Sequence, residues 1–586
     1  MKFLRNLLAA IMGCLIAFGI LFVMFLVFMA LVSNADEGIT VKKNSILKLS
    51  LSGEVLDYAG KDENDPFASF FEEAMGLDEI LHTIKIATDD ANIEGISMET
   101  GFLLSGLAQT QEIRKALYDF KSSGKFIYSY SDYYTQKDYY LASVANAMYI
   151  NPVGGMDFKG LATEVLYYKD LQEKTGVKME VIRHGKYKSA VEPYLSNTMS
   201  EENRTQIEAL ITTIWSAMAN DISSSRGIDI NDLNTIADTL GGRTPEHAVA
   251  SGLIDGKLYF DEYEALLKEQ MGVAPEDELA YVPFEDYLKV AKRKKLQLGS
   301  DKIAVIYAQG EIYYGEGSKE YIGQGMITKA LQKAKEDERV KAIVLRVNSP
   351  GGSALTSDII WREVELTKRD KPVVVSFGDV AASGGYYIGV GGDKIFAEPT
   401  TITGSIGVFG TIPNLSGLAG EIGINAEQVG THKNSVDYSL FEPMSNTFRN
   451  VILEGIENTY QTFLQRVAAG RNMPIDEVDA LAQGRVWSGT DALKIGLIDE
   501  LGDLDDAIAA AAELAGTTAY GIRKYPKYKS DFEKLMEDLG GAKAKIGEAI
   551  IKEEIGVDAY RILKELKEIT EKEGIQARMP FTLNIN

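Results

Sequence analysis

A chain of 586 residues is longer than one hydrophobic core usually supports, so we expect two or more domains. Its 85 acidic and 61 basic residues give a net charge of −24, which argues against a nucleic-acid partner because phosphates need a concentrated basic surface. The single cysteine, Cys14, leaves no internal disulfide, and the four histidines are spread without metal-ligand spacing. Neither a metal nor another cofactor is expected.

The N-terminal segment predicts one membrane-spanning helix. Residues 7–32 are apolar and uncharged, and at about 1.5 Å per residue they exceed the roughly 30 Å hydrocarbon thickness of a bilayer. Lys2 and Arg5 precede this run and predict a cytoplasmic N-terminus in the inner (cytoplasmic) membrane, with the rest of the chain on the periplasmic or other extracytoplasmic side. The run is longer than the apolar part of a usual signal peptide, so a retained single-pass anchor over residues 1–36 is favoured over a cleaved signal.

Two stretches of the chain, residues 125–145 and 372–392, share one order of strand, turn and helix. They align without a gap at an offset of 247 positions, which places Tyr139 and Tyr140 on Tyr386 and Tyr387. The same offset aligns segments on both sides, and downstream it changes to 244, where a Gly-Leu-Ile-Asp sequence recurs. A register kept over so many positions predicts two copies of one unit.

Each copy alternates short β-branched runs with helical patterns. In the second copy, residues 303–306 and 373–375 predict buried strands, and the apolar spacing over 327–335 predicts a helix. We therefore expect an α/β fold made by tandem duplication of one domain.

The predicted domain organisation follows from these patterns. The first repeat is expected over residues 37–295, the second over 296–515 and a helical C-terminal extension over 516–586. Residues 271–300, with two prolines and a basic run, predict the connection between the repeats. The extension carries one apolar stripe, expected to pack on its own domain or a neighbouring subunit and formed by Ile562, Leu563, Leu566 and Ile569.

A glycine pair follows a predicted strand of the second copy. Gly351 and Gly352 let the backbone turn sharply and expose its N–H groups, as an oxyanion hole requires. A plain tight turn is the alternative interpretation.

Ser383 lies about thirty residues further on, among small residues at a strand-to-helix turn. Such a serine is sterically open, and the N–H groups of the helix N-terminus favour negative charge beside it. A simple N-cap is the alternative. The first copy has Gln136 at the matching position, and Leu104 and Ser105 lie where the glycine pair would be. This asymmetry suggests a function confined to the second copy.

A serine nucleophile needs a base, and no histidine lies in a triad-like motif. The other well-known base is a lysine that burial makes neutral. Lowering a lysine pKa from about 10.4 to about 7 requires roughly 5 kcal/mol of differential solvation, so the amine must be largely dehydrated.

At this point the motifs resemble a known family, the long form of signal peptide peptidase A, also called protease IV. Its members are Ser/Lys peptidases with a crotonase-like fold shared with Clp protease. The matching motifs are residues 348–352, 382–386 and 403–407 in the second copy and residues 185–193 in the first.

The resemblance implies Ser383 as the nucleophile and Lys188 as the general base, with Lys186 as the rival base. The position that matches Lys188 in the second copy is Ser435, so base and nucleophile are each kept in one copy. The two halves would then have to dock to bring them together.

The resemblance also assigns supporting roles. Ser405 is similar to the residue whose hydroxyl orients the lysine amine, although a structural turn serine is the alternative. The amides of Gly384 and Gly352 would stabilise the oxyanion, with that of Gly351 as an alternative to Gly352.

The function implied is degradation of cleaved signal peptides and other membrane-associated peptides by a homotetrameric ring whose sites admit extended apolar chains. Two alternatives come from other classes. A crotonase-like acyl-CoA enzyme would suit the glycine turns, but no basic phosphate-binding cluster lies near them. A catalytically silent membrane scaffold is the other.

Overall fold

The computed structural model describes residues 2–34, 39–60, 74–294, 299–435, 438–528 and 576–578. Helix α1 (Lys2–Asn34) comes first, and its segment Arg5–Met24 is long and apolar enough to cross a membrane. The predicted boundaries near residues 36 and 295 fall outside the described residues.

The first repeat is built on a parallel sheet. Its strands run in the order β2-β1-β3-β4-β5-β7, with β8 also paired to β1, whereas β6 belongs to another sheet. The strands are β1 (Ser45–Leu56), β2 (Met75–Gly76), β3 (Ile93–Leu104), β4 (Phe126–Tyr134), β5 (Ala147–Met156), β6 (Lys178–Arg183), β7 (Gly256–Lys257) and β8 (Tyr281–Pro283).

The helices of the first repeat help to bury the apolar side chains of this sheet in a large cluster and a smaller one. They are α2 (Leu77–Asp89), α3 (Leu107–Ser122), α4 (Gln136–Ala142), α5 (Lys169–Thr175), α6 (Glu192–Leu195), α7 (Glu201–Arg226), α8 (Ile230–Asp238), α9 (Pro245–Ala250), α10 (Phe260–Met271) and α11 (Phe284–Arg293). The smaller cluster joins Ile46 and Tyr130 to α10.

The second repeat has a mainly parallel sheet in the order β18-β16-β14-β12-β9-β20, with β15 pairing β14 and β19. Ala304 and Ile306 face one apolar cluster and Ile303 and Val305 face another, so β9 is buried on both faces, as its β-branched run requires. The strands are β9 (Asp301–Gln309), β10 (Glu311–Tyr313), β11 (Tyr321–Gly323), β12 (Val340–Ser349), β13 (Gly351–Ser353), β14 (Val373–Ala382), β15 (Lys394–Ala397), β16 (Ile402–Gly404), β17 (Phe409–Asn414), β18 (Val486–Ser488), β19 (Glu500–Leu501), β20 (Tyr520–Tyr525) and β21 (Gln576–Arg578).

The helices of the second repeat follow a pattern similar to that of the first repeat. They are α12 (Gln324–Glu336), α13 (Ala354–Lys368), α14 (Gly384–Gly389), α15 (Ser416–Glu421), α16 (Asn446–Arg471), α17 (Ile475–Leu481), α18 (Gly489–Lys494) and α19 (Leu504–Leu514).

The predicted duplication is confirmed element by element. Helices α2 and α12 both begin and end 247 positions apart, and β3 and β12, β4 and β14, and α3 and α13 begin 247 positions apart. Helices α9 and α18, and α10 and α19, begin 244 positions apart. The chain is a tandem pair of α/β repeats.

Two predictions of local structure are wrong. Residues 271–300 are not merely a connection, because β8 pairs with β1 and α11 packs on α2 to complete the first repeat. The extension does not begin as a helix, because β20 adds to the edge of β9 in parallel. Strand β21 also lies within the extension. The predicted stripe over 562–569 lies outside the described residues.

A third sheet joins the two repeats. Its order is β11-β10-β13-β21-β17-β6, and β6 of the first repeat runs antiparallel to β17 of the second, with Arg183 opposite Phe409. The first repeat thus places its strand β6, and the loop that follows it, inside the second repeat.

Buried charges also hold the two repeats together. Arg346 of β12 is almost fully buried, and its Nη2 lies 2.5 Å from Glu112 Oε1 and 3.3 Å from Asp57 Oδ1 of the first repeat. Asp379 of β14 accepts a hydrogen bond of 3.0 Å from the backbone N–H of Gln109, in the first turn of α3. One cation therefore faces several carboxylates, and burial raises the pKa of Glu112 to about 7.

Replacing Arg346 with methionine should lower the free energy of unfolding by about 3–5 kcal/mol, because two carboxylates lose their buried cation. The pKa of Glu112 is raised in the folded state, so the stability linked to its protonated form is fully present below the unfolded pKa and is lost as pH rises through about 7. Near pH 5 the protonated Glu112 does not need the cation of Arg346, whereas near pH 8 the ionised Glu112 does. We therefore expect the substitution to lower the free energy of unfolding less near pH 5 than near pH 8. Denaturant unfolding in detergent measures this loss of free energy at the two pH values.

The matched control is Lys329→Met, which removes a 2.7 Å ion pair with Glu316 in which both side chains are more than half exposed. Its effect should stay within about 1 kcal/mol. Equal losses in the two variants would contradict the role given to Arg346.

Candidate active site

Three side chains from distant parts of the chain meet between the repeats. Lys188 Nζ lies 3.0 Å from Ser383 Oγ, 2.9 Å from Ser405 Oγ and 3.0 Å from the carbonyl oxygen of Ser405. All three residues are fully buried. The structure thus brings together the lysine and both serines that the sequence motifs single out.

Ser383 stands between β14 and α14 in a strained conformation. Its φ of +56° and ψ of −115° are unusual for a residue with a Cβ, and its backbone N–H donates to the carbonyl of Gly404 at 2.8 Å. Although Ser383 occupies the N-cap position of α14, its side chain makes no capping hydrogen bond. The hydroxyl faces Lys188 instead, so the simple N-cap interpretation does not describe this serine.

Strand β6 and the loop after it deliver Lys188. The backbone N–H of Tyr187 donates to the carbonyl of Gln483 at 3.0 Å, which ties the loop to the second repeat. Gln206 of α7 donates to the carbonyl of Tyr187 at 3.1 Å and accepts from the N–H of Val486 at 3.3 Å. One amide side chain therefore bridges the lysine loop and β18.

Burial disfavours the charged form of the Lys188 amine. Desolvation lowers the pKa of Lys188 well below its usual range. A neutral amine has two N–H donors and one lone pair. Ser405 offers two acceptors, its hydroxyl and its carbonyl, which leaves the lone pair for the hydroxyl of Ser383.

The rival lysine has a different environment. Lys186 is exposed, and its Nζ lies 5.1 Å from the centre of the Tyr187 ring. The amine of Lys186 is therefore open to water, whereas Lys188 is fully buried.

Ser405 is held in its own strained turn. It has a φ of +51° and follows Gly404, which has a φ of +76°. Its N–H donates to the carbonyl of Arg485 at 2.6 Å. This conformation turns both oxygens of Ser405 toward the amine of Lys188.

The glycines expected to bind an oxyanion lie beside Ser383. Ser349 of β12 pairs with Ala381 of β14, which comes shortly before Ser383 in the chain. The glycine pair of β13 follows Ser349 closely in the chain, so it lies near Ser383. Gly351 has a φ of +97° and its N–H donates to Ser349 Oγ at 3.2 Å, so that amide already has an acceptor. A Cβ on Gly352 would overlap the carbonyl of Ile312, which excludes other residues there.

Gly384 offers a further amide. It is the first residue of α14, where backbone N–H groups have no intrahelical acceptor. An oxyanion beside Ser383 would meet this positive end of the helix.

In the first repeat, the residues at the matching positions make hydrogen bonds that hold the structure. Gln136 accepts from the backbone N–H groups of Lys159 and Gly160 at 2.8 and 2.9 Å. Lys137 donates to the carbonyl of Ser105 at 2.5 Å. Ser435, which matches Lys188, accepts from the N–H of His432 on the surface.

Sequence reasoning missed Gly484. This residue has a φ of +81°, and a Cβ there would lie 2.7 Å from the Cα of Lys188, while a Cβ at Gly407 would lie 3.2 Å from its Cδ. Phe409 was missed as well, with its ring centre 5.9 Å from Lys188 Nζ. Nothing local in the sequence marks these residues, because they act on a lysine about two hundred positions or more away.

Comparison with known proteins gives two matches to one protein family. Residues 119–274 and 365–518 each match the model described as peptidase family S49. The chain belongs to peptidase family S49. Two separate matches to family S49 agree with the tandem repeat, and the similarity to serine proteases confirms the predicted resemblance and enzyme class.

Relatives of this S49 chain match over most of its length. It is 34% identical over 500 residues to "Protease 4" of Haemophilus influenzae, covering 82% of this chain and 81% of that protein. It is 34% identical over 549 residues to "Serine protease SPPA, chloroplastic" of Arabidopsis thaliana, covering 92% of this chain and 78% of that protein. Among solved structures, ClpP1 from Listeria monocytogenes aligns with 15% identity and a TM-score of 0.23, covering 35% of this chain and 94% of that one.

Replacing Gly484 with alanine should lower kcat/KM for a peptide by about 100-fold, because the added Cβ displaces Lys188 from Ser383 by a fraction of an ångström or more. The matched control is Gly423→Ala, where φ is also +81° but, among the described residues other than its chain neighbours, no atom lies within 4 Å of the added Cβ. Steady-state hydrolysis by both variants separates the contact from backbone strain. An equal loss in the control would contradict the prediction.

Proposed function

We propose that this serine protease is a Ser/Lys peptidase in which Ser383 is the nucleophile and Lys188 the general base. The observation that carries the proposal is the 3.0 Å approach of a fully buried amine to the Ser383 hydroxyl. Such a geometry lies within the reach of direct proton transfer, and the lowered pKa of Lys188 supplies the neutral base.

The reaction begins when the lone pair of Lys188 Nζ takes the proton of the Ser383 hydroxyl. The Oγ attacks the peptide carbonyl, and the N–H groups of Gly384 and Gly352 stabilise the oxyanion. Collapse breaks the C–N bond, and the Lys188 ammonium returns the proton to the leaving amine. Water activated by the same amine then hydrolyses the acyl-enzyme.

Ser405 positions the base in this proposal. Its hydroxyl and carbonyl both lie within 3.0 Å of Lys188 Nζ, so they orient the two N–H bonds and point the lone pair at Ser383. The amide of Gly351 is a weaker choice for the oxyanion than that of Gly352, because it already donates to Ser349 Oγ.

The proposed substrates are cleaved signal peptides and other apolar peptides at the membrane. Helix α1 supports this, since its apolar segment would hold the repeats at a bilayer, and Lys2 and Arg5 support a cytoplasmic N-terminus in the inner membrane. A homotetramer with inward-facing sites stays a prediction from the family resemblance.

Hydrolysis of a leucine-rich signal-peptide analogue should separate the two lysines. We expect Ser383→Ala and Lys188→Ala to lower kcat by at least about 10³-fold, since each removes half of a unit that acts together. Lys186→Ala removes an exposed amine next to Tyr187 and should keep most activity. Product analysis by mass spectrometry gives the rates and cleavage sites.

The two lysine variants also test the assignment of the base. If Lys188→Ala stays active while Lys186→Ala does not, the base is wrongly assigned. If the unmodified protein cleaves no peptide while it remains folded and binds one, the silent-scaffold alternative gains support.

The pH dependence follows from the buried amine. Only neutral Lys188 accepts a proton, so kcat/KM should rise with pH as the free enzyme loses this proton, with a midpoint well below the ordinary lysine value of 10.5. A substrate without ionisable groups keeps other titrations out of the profile. A rising limb centred in the ordinary lysine range would contradict the proposed base.

A further inference from the structure

One arginine, Arg485, contacts two aromatic rings beside the candidate active site. Its Cζ lies 5.3 Å from the centre of the Tyr187 ring and 4.1 Å from that of the Trp487 ring. Both distances are within the roughly 6 Å over which a cation is attracted to the face of an aromatic ring. We call these three side chains the Tyr187–Arg485–Trp487 cluster.

Each ring of the cluster belongs to a segment that holds the lysine amine. Tyr187 directly precedes Lys188 in the chain. The Trp487 ring lies against Gly404, where an added Cβ would meet Trp487 Cδ1 at 2.7 Å. The next residue, Ser405, has its hydroxyl 2.9 Å from Lys188 Nζ. The cluster therefore joins the loop that carries the lysine to the turn that orients its amine.

The backbone around Arg485 contacts the same two segments. Its carbonyl accepts from the N–H of Ser405 at 2.6 Å. Gly484, immediately before it, packs so closely on the lysine that an added Cβ would lie 2.7 Å from Lys188 Cα. A displacement of Arg485 is thus transmitted to both Lys188 and Ser405.

Stability alone gives a poor account of this arginine. Among the residues that the structure describes, no carboxylate forms an ion pair with Arg485, and its Nε is buried without a hydrogen-bond partner. A buried N–H group without an acceptor costs free energy. The contacts of the guanidinium with the two rings therefore come at some expense to the fold.

The cluster also occurs only once in the duplicated chain. At the offset of 244 positions, the first repeat has Gly241 in place of Arg485 and Arg243 in place of Trp487. At the offset of 247 positions, the second repeat has Asn434 in place of Tyr187. A cluster that only shaped the α/β unit should occur in both repeats, so its single copy at the lysine favours a role in the chemistry.

We infer that Arg485 is a positioning residue for the base. Through the rings of Tyr187 and Trp487 it fixes Lys188 and Ser405 relative to each other, so that the amine stays directed at the Ser383 hydroxyl. The inference rests on the proposed function, because it takes Lys188 as the base. A planar guanidinium stacks on aromatic rings in a way that an apolar side chain does not reproduce.

Replacing Arg485 with methionine should lower kcat by about 30-fold and change KM by less than about twofold, because a displaced amine slows proton transfer without touching the peptide. Water that reaches the loosened lysine raises its pKa, so the rising limb of kcat/KM should move to higher pH by about half a pH unit or more. Steady-state hydrolysis of a leucine-rich peptide by the full chain in detergent measures both effects.

Two substitutions of Tyr187 make the test independent of charge. Tyr187→Leu removes the ring and should reproduce the fall in kcat and the change in the pH profile. Tyr187→Phe keeps the ring and should retain most activity. The matched control is Arg466→Met, which removes another guanidinium from an aromatic ring, 4.0 Å from the centre of Trp361, and should change neither kcat nor the pH profile.

Three results would overturn the positioning role. A raised KM with unchanged kcat in Arg485→Met would show that the guanidinium contacts the peptide instead. Equal losses of kcat in Arg466→Met and Arg485→Met would show that the position of the arginine does not matter. Full kcat in a folded Tyr187→Leu variant would show that the ring does not transmit the effect.

A Lys188→Ala background separates this inference from the dyad. If Arg485 acts through the lysine, Arg485→Met should lower the residual rate in that background by less than about threefold, since the two residues act as one unit. A loss of about 30-fold there would overturn the positioning role and leave the dyad intact. Full activity of Lys188→Ala alone would refute the proposed base, whatever the effect of Arg485→Met.

Discussion

A lysine amine that is buried next to a serine hydroxyl is the constraint around which the two repeats are arranged. Lys188 belongs to the first repeat and Ser383 to the second, and their side chains meet at 3.0 Å. Removing water from this amine is what lowers its pKa, so a gap between the repeats would raise that pKa again and weaken the proposed base. Strand β6, Gln206 and Gly484 all serve this close fit, and Arg346 anchors the same interface with buried ion pairs.

The two repeats contribute different side chains to the candidate active site. The second repeat keeps the glycine turns and strained serines, whose positive φ angles are tolerated because the surrounding strands hold them. The first repeat fills the matching position with Gln136, which binds the backbone of Lys159 and Gly160. In the proposed mechanism the base therefore comes from the first repeat and the nucleophile from the second.

The third sheet connects the two repeats next to the buried pair of side chains. It places β6, whose following loop carries Lys188, and β13, which carries Gly351 and Gly352, on either side of the strands β21 and β17. The approach of Lys188 to Ser383 thus depends on backbone pairing between the repeats.

The repeats, the apolar N-terminal helix and the two motif serines could be predicted from the sequence, because each depends on a local pattern or on a register that repeats along the chain. The offset of 247 positions relates α2 to α12 at both their first and their last residues. Only the tertiary structure distinguished Lys188 from Lys186 by burial, turned 520–525 into an edge strand, and brought Gly484 and Gln576–Arg578 to the site. These outcomes depend on desolvation and on pairing between segments hundreds of residues apart, and no local pattern encodes such contacts.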